Sequence, residues 1–413
     1  MYDIAVIGNG LIGSAALRHL SEEFPQLRVC GIGPDEPRNR KRHQGVFASH
    51  YDQGRITRVL DPSPLWGQLA RDSIAQYASI EAAGGIRFHH RAGCLRATDL
   101  PESIAQLDAC AEQFAPPHSR LDAAGCRAAH PYLRFADSFV AWDEVGAAGY
   151  INPRQLVAAQ LAAAQKNGAA VIREVAASID CRPGGVTIRT RRPGSNTATG
   201  QNEAIRARKI LLSAGGYSNT LLEKKLALRT KGHTILLAEA PAAEVERLRS
   251  MPAVISTFAR SDVSSLYMLP PLPYPDGKTY IKLGFGDADE LPAPEPFLNA
   301  VDSDRKLLEW FHTDGRADIA EALKEALHSM LPGLQTLSYH SAPCLLTYTA
   351  HGYPYIDALE AGRVYVATGG NGASAKSSDA IGRLGAMLCA NGEWVNGYHR
   401  DDFRAVYADD EST

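Results

Sequence analysis

Apolar and polar positions follow two different periods along the chain, and each change of period marks the end of an element. Residues 3–7 form a short β-branched apolar run that stops at Gly8, and over residues 11–20 the apolar spacing becomes helical. Strand spacing returns at 27–32, so a strand, a tight turn, a helix and a second strand are complete by about residue 33. The polar stretch 34–44, rich in Arg, Lys and Pro, reads as an exposed connection. A helical pattern occupies 64–83, and a strand or hairpin at 85–97 leads into a helix ending near Phe114. Another helix spans 152–167, opened by Pro153 where a missing N–H costs least. Residues 171–189 read as a strand pair turning at Pro183-Gly184-Gly185.

Two later buried-strand runs, 209–214 and 363–368, also stop at glycine, at Gly215-Gly216 and Gly369-Gly370. Three glycine-ended strands predict one parallel sheet assembled from distant segments. The stretches 85–145 and 222–335 look different, with alternating strands such as 266–269 and 279–285. They predict a second, largely antiparallel domain inserted twice into the first. The expected division is therefore 1–84, 146–221 and 336–413 for the parallel-sheet domain, and 85–145 with 222–335 for the other. The fold class is α/β plus α+β. The Pro-, Gly- and Ser-containing segment 191–202 reads as a loop.

Composition narrows the partners. A chain of 413 residues is long enough for two domains and the interior a large ligand needs. With 43 Lys+Arg against 46 Asp+Glu, the net charge of -3 gathers neither nucleic acid nor an anionic membrane, so a small molecule is the expected partner. The seven cysteines are scattered without a CxxC pair, which argues for a reducing compartment. No secretory leader and no apolar run of about 18 residues is visible, so a cytoplasmic location without membrane insertion is expected. The thirteen histidines show no metal-ligand spacing, and no metal site is expected.

Between the first strand and helix stands Gly8-Asn9-Gly10-Leu11-Ile12-Gly13, a G-x-G-x-x-G match. In that context glycines let a pyrophosphate approach the backbone and the helix N-terminus, the signature of a Rossmann-like dinucleotide domain. Gly8, Gly10 and Gly13 are thus cofactor-binding candidates. The acid that bonds the ribose should follow about 20 residues later; Asp35, or Glu36 beside it, stands one turn late, and a solvated loop acid is the alternative for each.

The segment Ser49-His50-Tyr51-Asp52-Gln53-Gly54-Arg55-Ile56-Thr57-Arg58 resembles the sarcosine-oxidase branch of the D-amino-acid-oxidase-like flavoproteins. Tyr280-Ile281-Lys282-Leu283-Gly284, Cys344-Leu345-Leu346-Thr347 with Tyr355-Ile356-Asp357, and Gly369-Gly370-Asn371-Gly372-Ala373-Ser374-Ala375-Lys376 resemble three further segments of that family, so the likeness spans nearly the whole chain. The resemblance implies FAD as cofactor, held also by Ser49, His50, Val175, Gly369, Gly370, Asn371 and Gly372, with Cys344 bonded through sulfur to the flavin in some relatives. It places Arg55 and Lys282 beside the flavin, Lys282 promoting reaction with oxygen, and Arg58 and Lys376 on a substrate carboxylate. The implied reaction is oxidation of a C–N bond in an amino acid or N-substituted amino acid, with hydride passing to flavin N5, O2 as acceptor and an imine as product. Where relatives carry a substrate-contacting histidine, this chain has Gly286. The neighbouring Gly286-Asp287-Ala288-Asp289 is read as a turn. Rival readings are a dehydrogenase of the same fold delivering electrons to a quinone or protein carrier, a flavin-free binding protein, and a monooxygenase.

Overall fold

The computed structural model describes residues 1–193, 204–257, 265–286, 298, 305–360 and 362–412. Residues 194–202 of the expected loop and 287–289 of the expected turn lie outside them.

The apolar runs that stop at glycine assemble as expected. Tyr2–Ile7 lies between Val29–Ile32 and Ala204–Leu212, parallel to both, and Val364–Thr368 continues parallel to Ala204–Leu212. Ala170–Ile172 extends one side, and the antiparallel pair Val175–Arg182 and Gly185–Arg191 the other. Helices Leu11–Glu23, Pro153–Lys166 and Ser378–Asn391 cover this sheet through Leu17, Leu20, Val157, Leu161, Ile381 and Leu384, all buried. Apolar area removed from water along this contact is the main force holding helices to sheet.

One polar knot fixes where the last helix begins. Asp379 in its first turn accepts from Arg18 Nη2 at 2.9 Å and from Gln160 Nε2 at 2.8 Å, while Arg18 Nε donates to Gln160 Oε1 at 2.6 Å. Burial alone would raise the Asp379 carboxyl, but His19 and Arg18 outweigh it and hold the group well below its ordinary value. Asp379→Ala removes the buried carboxylate shared by Arg18 and His19, leaving them only the partly buried Glu22 and Glu23, so unfolding free energy should fall by about 3 kcal/mol. Denaturant unfolding measures it, and a loss below about 1 kcal/mol would rule out this role for the knot.

The second sheet runs Ser338–Thr349, Leu228–Glu239, Thr279–Phe285, Ser265–Pro273, Ala253–Thr257, Cys94–Thr98, Val140–Glu144 and His118–Leu121. Each neighbouring pair is antiparallel except Ala253–Thr257 with Cys94–Thr98. One face packs on helix Ala317–Met330 through Leu95, Ala97, Ile281, Leu283, Ile319, Leu323 and Leu327. The other face looks toward the first sheet. The single helix predicted over 64–83 is two, Pro64–Ile74 and Tyr77–Gly84. The break turns the buried Tyr77 hydroxyl toward Thr57 and lets it donate to the Lys376 carbonyl at 2.8 Å. No helix among the described residues is long and apolar enough to cross a membrane.

Candidate active site

The carboxyl ends of Tyr2–Ile7, Ala204–Leu212 and Val364–Thr368 open on one cavity of about 950 Å³, which reaches the inner face of the second sheet. Clefts of this size at the ends of parallel strands are where large ligands bind.

The first turn lies on the cavity wall. Gly8 adopts φ +107°, and a Cβ there would stand 2.4 Å from the Ser213 carbonyl oxygen; one on Gly13 would stand 1.8 Å from the Gly8 oxygen. Only glycine lets the turn close on its neighbours in this way. Gly8 and Gly10 line the cavity, whereas Gly13 serves the packing behind it. No side chain caps helix Leu11–Glu23, so its first N–H groups remain available to an anion. Asn9 is buried on this wall with neither amide atom hydrogen-bonded among the described residues. A cradle without side chains, a free helix N-terminus and an unpaired amide suit the pyrophosphate of a dinucleotide.

Asp35 is not part of this wall. The chain leaves the cavity after Pro34, and Asp35 stands exposed, paired with Arg173. Glu36 is likewise taken, by Arg154 in a two-bond pair of 2.6 and 2.7 Å. The ribose contact expected of these acids is therefore not brought to the cavity.

Ser49, His50, Arg55, Val175, Cys344, Gly369, Gly370, Asn371 and Gly372 all face the same space. Burial, reinforced by Arg154 and Arg55, pushes the His50 imidazole down to about 3, so it is neutral at working pH. Asn371, at φ +48°, ties the glycine loop to strand Ser338–Thr349. Its N–H donates to Thr347 O, its Oδ1 accepts from the Thr349 N–H, and its Nδ2 donates to Gly369 O, each at 2.9 Å. Cys344, on that strand, has its sulfur 3.6 Å from Arg55 Nη2, and its carbonyl accepts from Trp310 Nε1 at 2.8 Å. Among the described cysteines Cys344 alone lines the cavity; Cys30, Cys94, Cys110, Cys126 and Cys389 are buried elsewhere.

Lys282 does not itself line the cavity. Its ammonium, fully buried, donates to Asp52 and to Gly54 O at 2.9 Å, one layer behind the cavity wall. Asp52 also takes Arg55 Nη1 and accepts from the Tyr274 hydroxyl at 3.1 Å. Burial, then the Arg55 charge, pushes the Lys282 ammonium well below its ordinary value, while contact with Asp52 favours its charged form.

Arg58 and Lys376 converge on the same cavity, with an acid between them that sequence reasoning passed over. Asp61 Oδ2 lies 3.0 Å from Arg58 Nη2 and 3.3 Å from Lys376 Nζ. Burial would raise the Asp61 carboxyl, but Lys376, then Arg58 and Arg96, hold it at about 2. Burial lowers Lys376 to about 8 against the opposing pull of Asp61. The lysine also sits 5.3 Å from the Trp66 ring centroid. Asp61 stands three residues after Arg58, a spacing that could have suggested the pair. Gly286 is on the wall, yet a histidine reaches the same space from another strand: His233 Nε2 is 3.2 Å from the Tyr267 hydroxyl. No local pattern signalled it.

The fold is shared with several solved structures. NikD, an unusual amino acid oxidase essential for nikkomycin biosynthesis, superposes with a TM-score of 0.71 at 18% identity over 98% of each chain. Glycine oxidase from Geobacillus kaustophilus gives 0.67 at 18% over 98% of each, and L-proline dehydrogenase from P. horikoshii 0.68 at 15% over 95% and 94%. By sequence, monomeric sarcosine oxidase from Streptomyces avermitilis is 32% identical over 171 residues, which span 41% of this chain and 42% of that relative. The family model described as DAO, FAD dependent oxidoreductase, matches residues 3–388, and the chain belongs to that family as an FAD-dependent oxidoreductase.

Proposed function

We propose that the protein oxidises the C–N bond of an amino acid or N-substituted amino acid, with O2 as acceptor, so that amine and O2 become imine and H2O2. The observation carrying this reading is the Arg58–Lys376 pair, which sets two cations on the wall of the same cavity that the dinucleotide cradle lines. The reading assigns cofactor binding mainly to residues 1–84, 146–221 and 336–413, and substrate contacts mainly to 85–145 and 222–335. Free thiols at all seven cysteines suit a reducing cytoplasm.

FAD, when bound, supplies the hydride acceptor and returns the electrons to oxygen. Arg58 and Lys376 hold the substrate carboxylate, displacing Asp61, and so orient the carbon that loses hydride. Tyr267, Leu269 and Phe285 supply the apolar wall that excludes water from it. Arg55, with Lys282 behind it, places positive charge next to the Cys344 strand, where anionic reduced oxygen is stabilised.

One observation favours a second reading, a dehydrogenase using a quinone or protein acceptor: Asp52 occupies the Lys282 ammonium and keeps it off the wall. Oxygen uptake, peroxide yield and dye reduction with N-methyl and free amino acids separate the two. One peroxide per turnover in air is expected; dye reduction without oxygen uptake would transfer the assignment to the dehydrogenase. In the same assay kcat/KM falls as pH rises through about 8, because Lys376 loses its proton and with it half of the carboxylate's cationic grip. A bound carboxylate raises the Lys376 pKa, so the kcat profile declines at higher pH than that of kcat/KM. A flat kcat/KM between pH 7 and 9 would remove Lys376 from substrate binding.

A further inference from the structure

The cationic cluster on the cavity wall holds one more charge than a single carboxylate accounts for. Arg96 sits on strand Cys94–Thr98, between Ile255 and Trp142 of its neighbours. Leu95 and Ala97 point into the core beneath helix Ala317–Met330, so Arg96 emerges on the opposite face, which forms the cavity wall. Only 7% of it is exposed, and its Nε and Nη1 lie buried with no hydrogen-bond partner among the described residues. A guanidinium presents its donors in a fixed fork suited to carboxylate or phosphate oxygens, and unpaired buried donors of this kind are rare.

Among the described residues no acid pairs with it. Arg58, Arg96 and Lys376 share the single Asp61 carboxylate, which already bonds Arg58 and Lys376. The next acid within reach of Arg58, Glu144, is turned away to accept from the Val59 and Leu60 amides at 2.8 Å each. Burial, then the Arg58 charge, lowers Arg96 to about 10, the direction expected of a cation lacking its counter-ion. One substrate carboxylate between Arg58 and Lys376 leaves a buried positive charge at Arg96.

Building on the clamp reading above, we propose that the substrate is an amine bearing two anionic groups, a short amino diacid, with one acid held by Arg58 and Lys376 and the second by Arg96. Arg96 thereby determines specificity, and the chemistry at the C–N bond is unchanged.

The test uses the flavin-loaded enzyme and two shape-matched probes, succinate and its monoamide succinamate, titrated by the change in flavin absorbance. Only the second charge differs between them. Wild-type enzyme binds succinate at least about tenfold more tightly than succinamate, and Arg96→Gln brings the ratio of dissociation constants to within about twofold. Arg96→Lys restores part of the ratio, because it keeps the charge without the fork. A wild-type ratio near one, or a ratio unmoved by Arg96→Gln, overturns the proposal. The wild-type ratio stands as a test even where a variant fails to fold. If both acids bind equally, the clamp survives and the second anion site falls; if neither perturbs the flavin, the clamp falls as well.

Discussion

Arg58→Ala lowers kcat/KM for a carboxylate-bearing amine by about two to three orders of magnitude, the equivalent of the ~3–5 kcal/mol that removal of one partner from a buried ion pair costs. The loss is this large because the substitution disables more than one cation. Asp61 sits between Arg58 and Lys376, and with Arg58 gone its carboxylate pairs with Lys376 alone. A substrate carboxylate then meets a lysine already neutralised. Lys376→Ala is accordingly expected to cost a similar amount, and the double variant little more than either single one, since the two groups act as one unit. Steady-state kinetics on the four proteins checks this, with flavin content confirming that each remains loaded. Additive losses would show two independent contacts, and unchanged constants would end the assignment of a carboxylate clamp.

Acid precipitation of the wild-type protein is expected to carry its yellow colour into the pellet, and Cys344→Ala to release the flavin into the supernatant or bind none. The effect is all-or-none because a covalent bond survives denaturation and the contacts of a folded cavity do not. Cys344 is the cavity's thiol among the described residues, and its sulfur lies 3.6 Å from Arg55 Nη2. Its strand is held in place from both sides, by Asn371 through Thr347 and Thr349 and by Trp310 at its own carbonyl. Free FAD in the wild-type supernatant would leave the family unchanged and remove the tether.

How much of this was legible in the chain follows from the range over which each signal acts. The glycine-ended strands, the G-x-G-x-x-G turn and the helix after Gly369-Gly370 depend on backbone conformation and on periodicity within a dozen residues, and such signals survive in one dimension. The parallel sheet they predicted is the one found. The resemblance also brought Arg55, Arg58, Cys344 and Lys376 to one cavity from segments nearly 300 residues apart.

What escaped the sequence was decided by partners remote along the chain. Asp35 stands one turn late for a ribose ligand, and Arg173 pairs with it at the surface. Lys282 alternates with Ile281 and Leu283 as an inward residue should, yet its position behind the wall is set by Asp52, 230 residues earlier. Arg96 lies on its strand between the buried Leu95 and Ala97, which fixes only that its side chain takes the other face. Only the packing of that sheet face against the first domain buries it and turns an ordinary alternation into a cation awaiting an anion. Local pattern determines which face a side chain takes, while tertiary contact determines whether that face meets water, core or ligand, because charge and desolvation act through space and not along the chain.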